Sequence, residues 1–163
     1  MRPVQKLKVL FLCTGNSCRS QMAEGWARHL AGGVMEAHSA GLETHGLNPL
    51  AVTVMAEAGV DISSQRSKNV NELKDIVFDC VVTVCGHANE HCPVLLTKAR
   101  RVHASFDDPP KLAQGAKSEE EALTHYRRVR DEIRAFVEQL PARLLAKTPQ
   151  KMKGGTACRS KSG

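Results

Sequence analysis

Aromatic side chains are scarce in this chain: one Trp, one Tyr and four Phe among 163 residues. So few rings leave no stacking platforms for single-stranded nucleic acid. Long apolar runs are missing as well. Residues 7–13 form a short apolar segment that Lys8 interrupts. It is too short for a membrane span and has the wrong flanks for a secretory leader, so a cytoplasmic location is expected. No pair of Cys-x2-Cys knuckles occurs, which argues against a structural zinc site.

Acids are absent from residues 147–163, where Lys147, Lys151, Lys153, Arg159 and Lys161 gather. The formal net charge of +6 is therefore concentrated at one end. Without those five cations the chain carries 18 basic and 17 acidic residues. Nucleic-acid binding is not expected of a body so nearly neutral. The reading is a single catalytic domain over 1–146 and a basic, disordered tail over 147–163.

Six cysteines are present, at 13, 18, 80, 85, 92 and 158. A reducing compartment keeps thiols free, so a disulfide framework is not expected. Metal binding, catalysis and chance burial are the remaining roles.

Apolar patterning gives alternating elements. Residues 6–12 read as a buried strand, and Arg19–Ala31 as a helix with Met22, Ala23, Trp26, Ala27 and Leu30 on one face. A second strand is expected at 34–39. Pro49 at a first helical position opens a helix that Gly59 ends. Residues 80–85 are β-branched and read as the clearest strand, 86–93 as a polar loop, and 100–105 as a fourth strand. Ser118 with Glu121 makes a capping box for a long helix reaching Ala146, bent or interrupted at Pro141. Strands alternating with helices predict an α/β fold with a parallel sheet. Such sheets bind ligands at the carboxyl ends of their strands, where Cys13 and Cys85 fall.

The segment Cys13-Thr14-Gly15-Asn16-Ser17-Cys18-Arg19-Ser20 joins a strand to a helix. Its backbone N–H groups and the helix N-terminus form an anion nest. Arg19 can grip two oxygens of a tetrahedral anion. The same field favours the Cys13 thiolate, the nucleophilic form, and Ser20 can donate to it. Gly15 is expected in a conformation barred to other residues. Asn16 tolerates left-handed geometry and ties the loop. Cys18 is read as loop packing. The eight residues together constitute the expected oxyanion-binding loop.

These residues resemble the catalytic loop of the low-molecular-weight protein tyrosine phosphatase superfamily, which contains phosphatases and thioredoxin-coupled arsenate reductases. The similarity extends through residues 21–26, 39–46, 106–109 and 127–133, covering roughly 6–140. It implies a four-stranded parallel sheet flanked by helices on both faces. It also implies that the Asp directly before Pro, here Asp108, is the general acid. Without it, an Asx cap before Pro109 and Pro110 is an equal reading.

A reductase needs two electrons. Cys85 and Cys92, seven residues apart on a polar segment, can supply a thiol–disulfide relay with Cys13. With the resemblance, this favours an arsenate reductase re-reduced by thioredoxin, a monomer without a bound cofactor. Two alternatives remain: a low-molecular-weight protein tyrosine phosphatase and a non-catalytic oxyanion sensor. The phosphatases of the family carry Pro-Tyr where this chain has Pro109-Pro110. Some relatives bind potassium beside the loop. Asn16, Glu24 and Ser39 match that site, but Arg66 and Lys68 replace hydroxyl and carboxylate groups. Two added positive charges repel a cation. No metal is expected, and Lys68 is expected to turn toward Glu24. His87 and His91 read as loop surface, while His38, His45, His103 and His125 have no identified partners.

Overall fold

The structure is a computed structural model that describes residues 5–96 and 98–146. The basic stretch 147–163, with Cys158, lies outside the described residues. Four parallel strands form one sheet in the order β2-β1-β3-β4: β1 (Leu7–Cys13), β2 (Met35–Gly41), β3 (Cys80–Thr83) and β4 (Arg100–His103). Helices α1 (Arg19–Ala31), α2 (Pro49–Glu57), α3 (Gly86–Glu90), α4 (Pro109–Ala113) and α5 (Glu119–Leu145) connect and cover them.

Successive strand residues point to opposite faces. Val9 through Cys13 are all at most 4% exposed, so the sheet is covered on both sides. That is the environment a parallel strand requires, and it explains why β1 reads as an unbroken apolar run. The expected α/β architecture, with four parallel strands and flanking helices, is the one observed.

α1 buries Met22, Ala23, Trp26 and Ala27, the stripe read from its three-and-four spacing. Trp26 Nε1 donates to the Arg130 carbonyl on α5 at 3.1 Å, fastening the two helices. Asn48 caps α2, its Oδ1 accepting from the N–H groups of Leu50 and Ala51 at 2.8 and 3.2 Å.

Several boundaries differ from the expectation. β3 spans Cys80–Thr83, two residues shorter than expected, although Val84 N–H still donates to the Leu12 carbonyl at 3.0 Å. The stretch after Cys85, expected as a loop, forms α3 over its first five residues, with Cys85 as N-cap. α5 runs without interruption through Pro141 to Leu145, within a residue of its expected end at Ala146. A proline in a helix forfeits one ladder hydrogen bond, and the packing of Val137 and Leu140, both fully buried, outweighs that loss. The capping box at its start is half formed. Ser118 Oγ accepts from Glu121 N–H at 3.1 Å, while Glu121 Oε1 accepts from the N–H of Lys117, not Ser118. Among the described residues no helix is long and apolar enough to cross a membrane.

Candidate active site

β1 delivers Cys13 to the carboxyl edge of the sheet, and the chain turns at once into α1. The turn depends on two close approaches. Gly41, paired with Cys13, passes so near the loop that a Cβ there would lie 2.4 Å from the Glu43 carbonyl and 2.7 Å from that of Thr14. A Cβ on Gly15 would lie 2.3 Å from the His45 ring. Gly15 therefore serves close packing, not the unusual backbone expected of it. The left-handed residue is Asn16, with φ of 49°. That geometry turns the Asn16 N–H onto Cys13 Sγ at 3.2 Å.

Ser20 Oγ lies 2.8 Å from Cys13 Sγ, and Asn16 Nδ2 donates to that hydroxyl at 2.9 Å. The sulfur thus faces one N–H and one hydroxyl. Asn16 and Ser20 are fully buried behind the loop. On the open side a cavity of about 390 Å³ is lined by Cys13, Thr14, Gly15, Ser17, Cys18 and Arg19, together with His45, Asn48, Asp108 and Pro110. Cys18 is 4% exposed. Burial, and then the Asp108 carboxylate, push its thiol far up, so it stays protonated while its backbone lines the cavity.

Arg19 Nη1 donates to the Phe106 carbonyl at 3.0 Å, and its Nη2 stands 3.6 Å from Asp108 Oδ1. The two neighbouring aspartates part company here. Asp107 is paired with Arg128 of α5 at 3.0 Å, whereas Asp108 faces the cavity. Asp108 occupies the N-cap position of α4 without making a capping hydrogen bond, which removes the Asx-cap reading.

Cys85 reaches the same edge from β3. Its Sγ is 3.5 Å from Thr14 Oγ1 and accepts from Ala88 N–H at 3.4 Å. Cys92 is half-buried beyond α3, and the five described cysteines are all free. Cys80 sits in the core, its thiol pushed up to about 11 by burial. Among the described residues no cluster of three or more His, Cys, Asp or Glu side chains is placed to hold a metal ion.

Beneath the loop lies a buried carboxylate. Glu24, 1% exposed, meets Arg28 Nη2 with one oxygen at 2.5 Å. Its other oxygen accepts from Ser39 Oγ at 2.5 Å and stands 3.7 Å from Lys68 Nζ. Lys68 thus turns toward Glu24 as expected, while Arg66 turns outward to Glu72 at 2.8 Å. Burial pushes the Lys68 ammonium down, against the pull of Glu24.

Three cavity residues were not read from the sequence as parts of the site: His45, Asn48 and Pro110. His45, Nε2 3.2 Å from Glu43, packs over Gly15; Asn48 Nδ2 donates to Tyr126 OH at 3.1 Å. No spacing marks His45, which sits on an irregular loop. Other histidines also have partners: His38 pairs with Glu36 and His103 with Thr83, both at 2.8 Å, and the rings of His87 and His91 stack at 4.3 Å.

A family model for low molecular weight phosphotyrosine protein phosphatase matches residues 8–150. The arsenate reductase of Bacillus subtilis is 52% identical over 127 residues, 77% of this chain and 88% of its own length. That of Halalkalibacterium halodurans is 50% identical over 130 residues, 80% of this chain and 91% of its own. Among solved structures, an arsenate reductase in its phosphate-binding state matches with a TM-score of 0.71 at 34% identity, covering 85% of this chain and 98% of that one. A low molecular weight protein tyrosine phosphatase from T. tengcongensis matches with a TM-score of 0.65 at 27% identity, covering 85% and 99%.

Proposed function

This chain belongs to the low molecular weight phosphotyrosine protein phosphatase family, and from that premise we propose that it is an arsenate reductase with a three-thiol relay. The observation that carries the reading is the position of Cys85. Its sulfur stands 3.5 Å from Thr14 Oγ1, at the rim of the Cys13 loop, where hydrolysis has no use for a second thiol. The naming of close relatives as arsenate reductases supports it.

Arsenate enters the nest with its oxygens on Arg19 and the loop N–H groups. Cys13 thiolate attacks arsenic, and Asp108 gives its proton to the departing oxygen. Cys85 then attacks Cys13 Sγ. The sulfur–arsenic bond breaks, its electron pair stays on arsenic as arsenite, and a Cys13–Cys85 disulfide remains. Cys92 attacks Cys85, releasing Cys13 as thiolate and leaving Cys85–Cys92. An external dithiol of the thioredoxin class reduces that bond. The substrate-binding residues are Thr14, Gly15, Ser17, Cys18 and Arg19, with Asn16 and Ser20 holding the nucleophile from behind. Free thiols in this sequence of steps require a reducing, cytoplasmic setting.

α3 bears on the third step. α3 lies between the two thiols, with Cys85 at its N-cap and Cys92 two residues past its last, and a disulfide tolerates Cα atoms at most about 7 Å apart. In this reading α3 unwinds to let Cys92 reach Cys85. Five residues make a helix of marginal stability, so unwinding costs little.

Cys92→Ser separates the steps. It should yield one arsenite per enzyme and then stop as the Cys13–Cys85 disulfide. Undiminished steady-state reduction by this variant, with thioredoxin as donor, would rule out the relay. Aryl phosphate hydrolysis tests the phosphatase alternative, which the shared Cys13, Arg19 and Asp108 favour. Pro110 lines the cavity where the phosphatases of the family carry tyrosine, so arsenate should be the better substrate by far.

A further inference from the structure

The buried charge cluster under the loop takes no part in the steps above, yet it is joined to Asn16, whose N–H orients Cys13. Residues 66–68 run directly beneath the loop. Lys68 N–H donates to Asn16 Oδ1 at 2.8 Å, and Ser67 Oγ donates to the Gly15 carbonyl at 3.0 Å. The Arg66 carbonyl accepts from Gln21 Nε2 at 2.9 Å, and the same nitrogen contacts Asn16 O and Oδ1 at 3.0 Å. The Lys68 carbonyl accepts from Gly41 N–H at 2.8 Å, tying the segment to the end of β2. One chain of contacts therefore leads from Lys68 through Asn16 to the sulfur of Cys13.

The Lys68 side chain adds a further tie within residues 66–68 and links them to the buried carboxylate. It folds back so that Nζ donates to the Arg66 carbonyl at 2.9 Å while lying 3.7 Å from Glu24. The ammonium thus bridges a carbonyl and a buried carboxylate, with its side chain 13% exposed. Carbonyl, carboxylate and hydroxyl oxygens around one positive charge are what a monovalent cation would collect. The Glu24 carboxylate already carries Arg28 on one oxygen and Ser39 with Lys68 on the other, so a free ion does not fit beside them.

We propose that Lys68 is a positioning residue: a tethered cation, built into the chain, that takes the place of a bound monovalent ion and holds Asn16 so that its N–H faces Cys13. The proposal concerns how the Cys13 sulfur is oriented, and it stands whether the thiol goes on to reduce arsenate or to hydrolyse phosphate. Removing the ammonium leaves Glu24 with Arg28, 55% exposed, and the Ser39 hydroxyl, and leaves the Arg66 carbonyl with Gln21 Nε2. Asn16 then loses its register with the sulfur. A shift of about 1 Å in a positioned group can cost about 100-fold in rate.

The readout is alkylation of Cys13 by iodoacetamide, resolved by peptide mass spectrometry, with inorganic phosphate as protectant. It reports the thiolate without needing arsenate reduction, so a failed reductase reading and a failed positioning role give different results. Lys68→Ala should react at least tenfold more slowly and lose phosphate protection. Ammonium or potassium, small enough to occupy the space left by the side chain, should restore both; tetramethylammonium should not. Unchanged reactivity, or a loss that no small cation restores, overturns the proposal. The wild-type protein supplies a test free of any folding defect in the variant. Its melting temperature and Cys13 reactivity should be the same in potassium and in tetramethylammonium salts. A potassium-dependent rise in either would show a cation site still open and would overturn it too.

Discussion

The five described cysteines differ in what their surroundings do to the sulfur. Cys13 faces an N–H and a hydroxyl, Cys85 accepts from an N–H at the start of α3, and Cys18 and Cys80 are buried. Enclosure has a consequence for stability. The Cys80 thiol is pushed up to about 11 by burial, above its value in the unfolded chain, so the folded state keeps its proton where the unfolded state loses it. Native protein then binds more protons than unfolded protein, and stability falls as pH rises. The loss should begin near the ordinary thiol pKa of about 8.5 and continue toward 11. Urea midpoints measured across that range should fall less steeply for Cys80→Ala than for wild type; equal slopes would refute the assignment. Single residues were also where the sequence was least legible. Cys13, Arg19 and Asp108 could be named from their positions in a motif. His45 could not, because it reaches the cavity by packing on Gly15, and no spacing encodes that contact. The role expected of Gly15 failed for the same reason: a glycine signals freedom or closeness, and only the neighbour shows which.

Elements with long apolar periods were legible to within a residue or two. α1 has the expected bounds, because its stripe of Met22, Ala23, Trp26 and Ala27 is buried in register against α5. α3 was not legible. Its sequence, Gly-His-Ala-Asn-Glu, buries only Ala88, too short a helix to show a period. It forms because Cys85 caps it and the chain leaving β3 must turn. The same weakness lets it open. Gly86 stands at its first position, and a Cβ there would meet nothing within 4 Å. Gly86→Ala should favour the helix by about 1 kcal/mol without strain. If α3 must unwind for Cys92 to reach Cys85, multiple turnover should slow by up to about fivefold, since 1.4 kcal/mol corresponds to tenfold. The burst of arsenite from the first turnover should not change. Rapid-quench measurement of both phases distinguishes the outcomes, and a slowed burst would place α3 earlier in the reaction than the relay has it.

At the scale of the molecule, the site exists only when the whole sheet is formed. Cys13 comes from β1, Arg19 from α1, His45 from the loop after β2, Cys85 from the end of β3 and Asp108 from the approach to α4. An anion held in the cavity they form binds the native state and not the unfolded chain, so it must stabilise the fold by mass action. Inorganic phosphate is a suitable probe, having the shape of arsenate without being reducible by thiols. At about 100 times its dissociation constant it should add about 2.7 kcal/mol. For a chain of this size that corresponds to a rise in melting temperature of roughly 5–10 °C. Arg19→Ala should abolish most of the rise, because among the described residues the guanidinium is the one Arg or Lys side chain lining the cavity. Cys13→Ser should keep it, because the nest is built from backbone N–H groups and Arg19. Equal stabilisation of wild type and Arg19→Ala would place phosphate somewhere other than this loop. A rise lost in Cys13→Ser would show that the sulfur holds the loop open as well as reacting from it.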